Sequence, residues 1–230
     1  MKLLEDVVRW FLDPAHYQGS DAVQLRVVEH VELSALAVLV AAAIALPVGL
    51  YLGHTGRFAF FAVNVANIGR ALPSLALLAL ALPIAFRLGL GLGFWPTLIA
   101  LVPLAIPPIM TNAYVALRAV DRDVIESARG MGLSELGILR AIEVPLGLPL
   151  ILSGVRTAAV NVVATATLGA LVAGGGLGRY IVDGLALREF DRLAAGALLV
   201  AILAILVEVA FGTFQRAATS PGIRLEARAF

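Results

Sequence analysis

The sequence predicts an all-α membrane protein: a polytopic helical bundle with five transmembrane crossings and a short N-terminal helix at the membrane surface. Three observations carry this. Of 230 residues, 60% are hydrophobic and only 14% charged, with mean hydropathy +0.95. A soluble domain is about half apolar and a quarter charged. The charged residues are gathered in blocks rather than spread along the chain. The charge-poor blocks are long enough to cross ~30 Å of hydrocarbon, which takes about 20 helical residues. This composition excludes a soluble globular domain, a disordered chain and a nucleic-acid binder.

Residues 1–32 hold nine charges, 33–117 only three (Arg57, Arg70, Arg87), 118–143 nine and 144–178 one (Arg156). Residues 179–192 hold six, 193–215 one (Glu208) and 216–230 four. A charge at bilayer depth costs at least ~2.5–3.5 kcal/mol, so the poor blocks are the spans. Five stretches qualify: 33–53, 58–86, 94–117, 146–172 and 193–214. Segment 1–32 is then aqueous, 33–214 is the transmembrane domain and 215–230 a tail, with the termini on opposite sides. In 1–13, Leu4, Val7, Val8 and Phe11 form one stripe of an interfacial helix that Pro14 ends. The second span is broken near Arg70–Pro73, because Pro73 disfavours helix at Leu72 and suits a new first turn, and residues 58–70 either cross the membrane or lie along its interface as an amphipathic helix. With the N-terminus outside, Lys and Arg number eight inside and seven outside, so the positive-inside rule does not orient the chain.

Several chemistries are excluded. Cysteine is absent, and Lys2 is the only lysine, so no P-loop can be built. The run Gly174, Gly175, Gly176, Gly178 has no βαβ setting, and His16, His30 and His54 lack metal-ligand spacing. No catalytic residue, metal or cofactor is assigned to the chain.

The hydrophilic loop 118–145 is the most informative stretch. Asp123 with Glu126 is a capping-box pattern that predicts a helix to about Met131. Gly132 is a left-handed stop, Ser134 caps a second helix over 135–143, and Pro145 helps to end it. Glu126-Ser127-Ala128, Gly132, Ile142 and Val144-Pro145 resemble the EAA signature of ABC-importer permeases, departing from it at Ser127 and Val144. The resemblance implies a type I importer fold of the methionine-permease kind. It also implies that the loop is a cytoplasmic coupling helix docking on a separate ATPase subunit, which holds ATP and Mg, with the N-terminus outside and the C-terminus cytoplasmic. A second permease copy or related chain, an extracytoplasmic substrate-binding protein and membrane lipid are the other partners implied, in a bacterial or archaeal cell membrane.

Further stretches narrow the resemblance. Arg70 to Leu78, Val155-Arg156-Thr157, Thr165 to Leu168, Gly175 to Gly178 and Asp13 to Tyr17 look like permeases for osmoprotectants: glycine betaine, choline, carnitine or proline. A permease for another amino acid such as methionine, or an ion-coupled transporter or channel, is the alternative. Secondary transporters often keep midplane carboxylates, and here the only acidic residue within the spans is Glu208, near one end.

Polar residues at membrane depth are the pathway candidates: Asn64, Asn67, Arg70, Asn112, Asn161 and Thr165. Asn64, Asn67 and Arg70 recur every three residues on one face, and Arg70 is placed to meet a solute carboxylate. Each also has a plainer role, bonding neighbouring helices or carbonyls freed by proline. Glu208, with Thr111 and Thr167, fits such a role, either snorkelling or pairing with an arginine. Outside, 173–192 combines Gly175, Gly176 and Gly178 with Tyr180 as a flexible gate edge and docking surface, or as a simple interfacial connector.

Overall fold

The structure, a computed structural model, describes residues 2–57, 60, 64, 71 and 73–219. Among them every regular element is helical. Helix α1 spans Lys2–Leu12, α2 Val23–Thr55, α3 Ser74–Arg87, α4 Phe94–Arg118 and α5 Arg122–Gly130. Then come α6 Glu135–Ile138, a wide π turn Leu139–Glu143, α7 Val144–Thr165, a 3-10 stretch Ala166–Val172, α8 Gly178–Leu187 and α9 Phe190–Ala218. Among the described residues four helical stretches are long and apolar enough to cross a membrane: 23–55, 94–118, 135–172 and 190–218. The apolar α3 is shorter, 14 residues.

The expected spans meet these with informative differences. Helix α2 begins ten residues before the expected 33, inside the charged segment. Arg26 there bonds Asp21 and Glu29, each at 2.9 Å, and Glu32 is exposed. In α1, Val7 and Trp10 turn inward while Leu3, Leu4, Val8 and Leu12 stay exposed. The helix keeps the one apolar stripe expected of it, covered at Val7 and Trp10 and open at Leu4 and Val8. Pro73 is the cap residue of α3, with extended backbone, where the proline break was expected. Most of 58–72, including Asn67 and Arg70, lies outside the described residues. So does the tail 220–230.

The chain forms two compact units. One comprises Met1–Val40, Leu72–Ala105 and Ala159–Val207. Its core joins Trp10, Val23, Leu177, Tyr180, Ala195 and Val200, and a second cluster joins Leu78, Ala81, Ala100 and Val172. Gly93 N–H donates to Val172 O at 2.8 Å, tying the turn before α4 to the end of the 3-10 stretch. The other unit comprises Ala41–Ala71, Ile106–Ala158 and Glu208–Phe230, with Ala113, Ala116, Leu117 and Ile151 at its core.

Small residues set how closely these helices pack. Apolar side chains gain little by leaving lipid, so close backbone approach supplies much of the attraction. A Cβ on Gly154 would lie 2.8 Å from Pro108 O, and one on Gly49 2.7 Å from Met110 O. In the second unit Arg156 and Glu208 form an ion pair, which gives both charges a partner inside candidate spans.

One substitution tests this packing. A Cβ at Gly178 would stand 2.2 Å from Thr167 O and 2.7 Å from its Cα, backbone atoms that cannot rotate away. Gly178→Ala should cost ~1–3 kcal/mol as overpacking. Thermal unfolding in detergent should show a clearly lowered midpoint, whereas Gly130→Ala, with nothing within 4 Å of its added methyl, should not.

Candidate functional site

The loop carrying the quoted motif folds as two helices at an elbow. The sequence places the first cap at Asp123; the structure moves it to Asp121, whose carboxylate accepts from Asp123 N–H at 2.9 Å. The helix starts at Arg122, so Asp123 lies in its first turn. At the other end Gly132 takes φ +87°, the left-handed conformation expected of it. Gly132 N–H donates to Arg129 O at 2.9 Å and Leu133 N–H to Ala128 O at 3.1 Å, the paired bonds of a glycine helix stop. Ser134 caps the second helix, accepting from Gly137 N–H at 3.2 Å.

That second helix does not stop near Pro145. It runs through the wide turn Leu139–Glu143 directly into α7. Val144 N–H reaches back to Leu139 O, five residues away, so the hydrogen-bond ladder has shifted register just before the proline. A proline that offers no N–H is tolerated where the ladder is already displaced.

Within the motif, Ala128 is buried and Ile142 half-buried, while Glu126, Ser127, Gly132 and Pro145 are exposed. Exposed apolar residues accompany them: Val124, Met131 (74% exposed) and Leu136. Arg129 crosses the elbow and grips Glu135 with two bonds of 2.7 and 2.9 Å. That carboxylate holds the guanidinium above its usual range. His54, on the last turn of α2, lies with Nε2 3.4 Å from Glu135 and donates from Nδ1 to Glu143 at 2.5 Å. His54, Arg118, Arg122, Glu126, Arg129 and Glu143 line a cavity of about 70 Å³.

Arg129, Glu135, His54 and Glu143 were not singled out by sequence. Arg129 and Glu135 are six apart, a spacing no continuous helix brings together. His54 and Glu143 are 89 positions apart, so nothing local links them. Glu143 did carry a signal, a carboxylate between Ile142 and Val144 at the head of an apolar run.

The pathway candidates divide. Asn64 and Asn112 belong to the second unit, Asn161 and Thr165 to the first. The Asn64 amide donates to Phe60 O at 2.7 Å, back along the chain. Asn112 packs against Gly154, where a Cβ would lie 2.6 Å from its own. Thr165 donates to Asn161 O at 2.7 Å and Thr167 to Ala164 O at 2.9 Å, so both hydroxyls are satisfied by their own chain. Asn161 is exposed.

The residues expected at a gate edge form one cluster, and it is tightly built. Gly176 N–H donates to Glu29 at 2.7 Å. A Cβ on Gly175 would sit 2.3 Å from Glu29 Oε2, and one on Gly176 3.0 Å from His30 Nδ1. The glycine run expected to be a flexible edge packs closely against Glu29, His30 and Thr167, and at Gly178 it is the Thr167 backbone that leaves no room for a larger residue. Tyr180, 1% exposed, donates its hydroxyl to Asp21 O at 2.5 Å. Asp21 also receives Arg26 at 2.9 Å and Arg192 at 2.8 Å, and Arg192 lies over the Tyr180 ring, 5.7 Å from its centre. Trp10, His16, Asp21, Tyr180, Glu189 and Arg192 line part of a cleft of about 870 Å³.

A helical membrane chain with this loop matches a known family. The family model described as "Binding-protein-dependent transport system inner membrane component" covers residues 45–223, and the chain belongs to that family. It is a multi-pass membrane transport subunit. It is 38% identical over 200 residues to the carnitine transport permease protein OpuCB of Listeria monocytogenes, covering 87% of this chain and 89% of that one. It is 35% identical to the choline transport system permease protein OpuBB of Bacillus subtilis (strain 168), covering 85% and 88%. It is 32% identical to the osmoprotectant import permease protein OsmW of Salmonella typhimurium, covering 95% and 100%. Among solved structures it is similar to a chain of the inward-facing MetNI methionine ABC transporter. The TM-score there is 0.73 at 25% identity, covering 86% of this chain and 97% of that one.

Burial pushes the Tyr180 hydroxyl up to about 12, helped by the Asp21 carboxylate. The unfolded chain would ionise near the ordinary value of 10, so folding is favoured fully below pH 10 and progressively less up to 12. Stability should fall over that window, on the order of 2 kcal/mol from this group. Tyr180→Phe should flatten that fall and cost about 1 kcal/mol at neutral pH for the lost bond to Asp21. Thermal midpoints from pH 9 to 12 read both effects, with little interference from lysine because Lys2 is the only one.

Proposed function

We propose that this chain is the permease subunit of an ATP-driven importer and forms the translocation pathway for a compatible solute such as glycine betaine, choline, carnitine or proline. The observation that carries the energy-coupling part is the elbow at Gly132, flanked by exposed Glu126, Ser127, Met131 and Leu136 on an otherwise apolar chain. A protruding turn of this kind, with apolar and charged side chains outward, suits insertion into a groove of a partner protein. The partner is a separate ATPase subunit that binds ATP and Mg. A chain whose one lysine is Lys2 has no P-loop of its own.

The solute class is supported by relatives at 32–38% identity named for carnitine, choline and osmoprotectants. Methionine is the second reading, favoured by the MetNI likeness at 25% identity. The loop is cytoplasmic in this proposal, with the N-terminus outside, and two permease chains pair. The exterior cleft, with Gly175, Gly176, Gly178 and Tyr180 in the cluster beside it, is the docking side for a substrate-binding protein. Asn64, Asn67, Arg70, Asn112, Asn161 and Thr165 remain the pathway candidates. Binding and hydrolysis of ATP on the partner then shift the pair between inward-open and outward-open states.

Reconstitution tests the division of labour. The purified chain should hydrolyse no ATP alone, and hydrolysis should appear when the ATPase subunit is added. Uptake of labelled carnitine, choline, glycine betaine and methionine by the complete transporter then decides the solute.

The elbow gives a sharper test. At φ +87° a β-branched residue is strained by more than ~1 kcal/mol, while no atom lies within 4 Å of a Cβ there. Gly132→Val should therefore redirect α6 without a steric clash. Interface hot spots are worth ~2 kcal/mol or more, so ATPase binding should weaken about thirtyfold. Membrane insertion should be normal and co-purification of the ATPase reduced. Unchanged co-purification together with unchanged transport would mean that the loop is only a connector.

A further inference from the structure

Glu143 is a carboxylate only 3% exposed, in a run that continues Val144-Pro145-Leu146. A polar group so buried needs a hydrogen-bond partner. That partner is His54, which donates from Nδ1 at 2.5 Å, and the other imidazole nitrogen lies 3.4 Å from Glu135. Glu135 is held in turn by Arg129, across the elbow. A continuous chain of polar contacts therefore runs Arg129–Glu135–His54–Glu143. It joins the helix before the elbow, the helix after it and the last turn of α2.

Two further features bear on what this chain does. Gly132 has nothing within 4 Å of its Cβ position, so packing does not brace the elbow there, and the Arg129–Glu135 pair bridges it. Glu143 closes the wide turn Leu139–Glu143, a helical irregularity that is rare and concentrated at functional sites. An interrupted ladder is a costly way to place a residue unless its position matters.

We infer that His54 is a positioning residue for energy coupling: held between Glu135 and Glu143, it makes both loop helices and the end of α2 move as one piece. A displacement imposed on the loop is then passed to α2 instead of being absorbed at the elbow. This rests on the reading that the loop meets the ATPase subunit.

The chain has no cysteine, which makes a reversible test possible. The double variant His54→Cys/Glu143→Cys is reconstituted with the ATPase subunit and binding protein, and labelled carnitine, choline and glycine betaine are used as probes. The readout is solute moved per ATP hydrolysed, at equal amounts of assembled complex. With the thiols free, that ratio should fall at least about tenfold, an ordinary coupling effect. Joining the thiols with a short bifunctional reagent should bring most of it back. A wild-type ratio with free thiols overturns the proposal, and so does a verified cross-link without recovery.

His54→Leu/Glu143→Leu is the second variant. It removes both partners and leaves no buried charge unpaired, so a purely structural pair would be dispensable in it. The same tenfold loss is expected in a folded complex; a wild-type ratio overturns the proposal independently. Failure of the underlying reading looks different. In that case the unaltered chain would not bind the ATPase subunit, or Gly132→Val would bind it and transport normally.

Discussion

Hydrocarbon supplies no hydrogen-bond partner, and the structure follows from satisfying polar groups from within the chain. The threonines show it most simply. Thr55, Thr157, Thr165 and Thr213 each turn the hydroxyl back to a carbonyl three or four residues earlier in the same helix. Among the described residues Arg156 pairs with Glu208, and Glu143 is met by the His54 ring. The buried hydroxyls of Ser34 and Thr111 are exceptions without a partner, and the structure gives no physical account of them.

The same constraint explains what the sequence could disclose. Charge-free blocks are a direct imprint of the bilayer, so the long helices were legible from composition alone. Elements governed by local bonds were legible too: Gly132 as a left-handed stop and Ser134 as a cap depend on neighbours within a few residues. The start of α2 was hidden because Arg26 and Glu29 pair inside the helix and Glu32 faces outward, so charge is tolerated there rather than excluded, and a charge tally does not register pairing. Pro145 misled for a related reason. Its usual effect assumes a regular ladder, and the wide turn had already displaced that ladder. His54 with Glu143 could not be read at all, since the partners lie 89 positions apart.

Glycine illustrates how one residue type carries two unrelated meanings here. At Gly132 it is required by conformation, in open space. At Gly178 it is required by space, because a methyl group would strike the backbone at Thr167. The sequence run Gly174 to Gly178 suggested mobility, yet it packs against the start of α2 through the Glu29 bond to Gly176 N–H. Asp21 strengthens that side, collecting Arg26, Arg192 and the Tyr180 hydroxyl at one carboxyl residue.

The loop is arranged the opposite way, and the contrast bears on function. Ala128 and Ile138 anchor it from below while Glu126, Met131 and Leu136 face outward. Exposed apolar side chains beside charges suit a surface that a partner protein covers. A covered loop transmits force only if its own joints are stiff. The glycine stop is a fixed conformation but an unbraced one, and the two-bond grip of Arg129 on Glu135 is what closes it. Stiffness in the loop would still be wasted if its root were free, and the root is where Glu143 meets His54. The features that mark this loop in the sequence therefore shape its outer surface. The residues that would let it act on the membrane helices are the less conspicuous ones beneath.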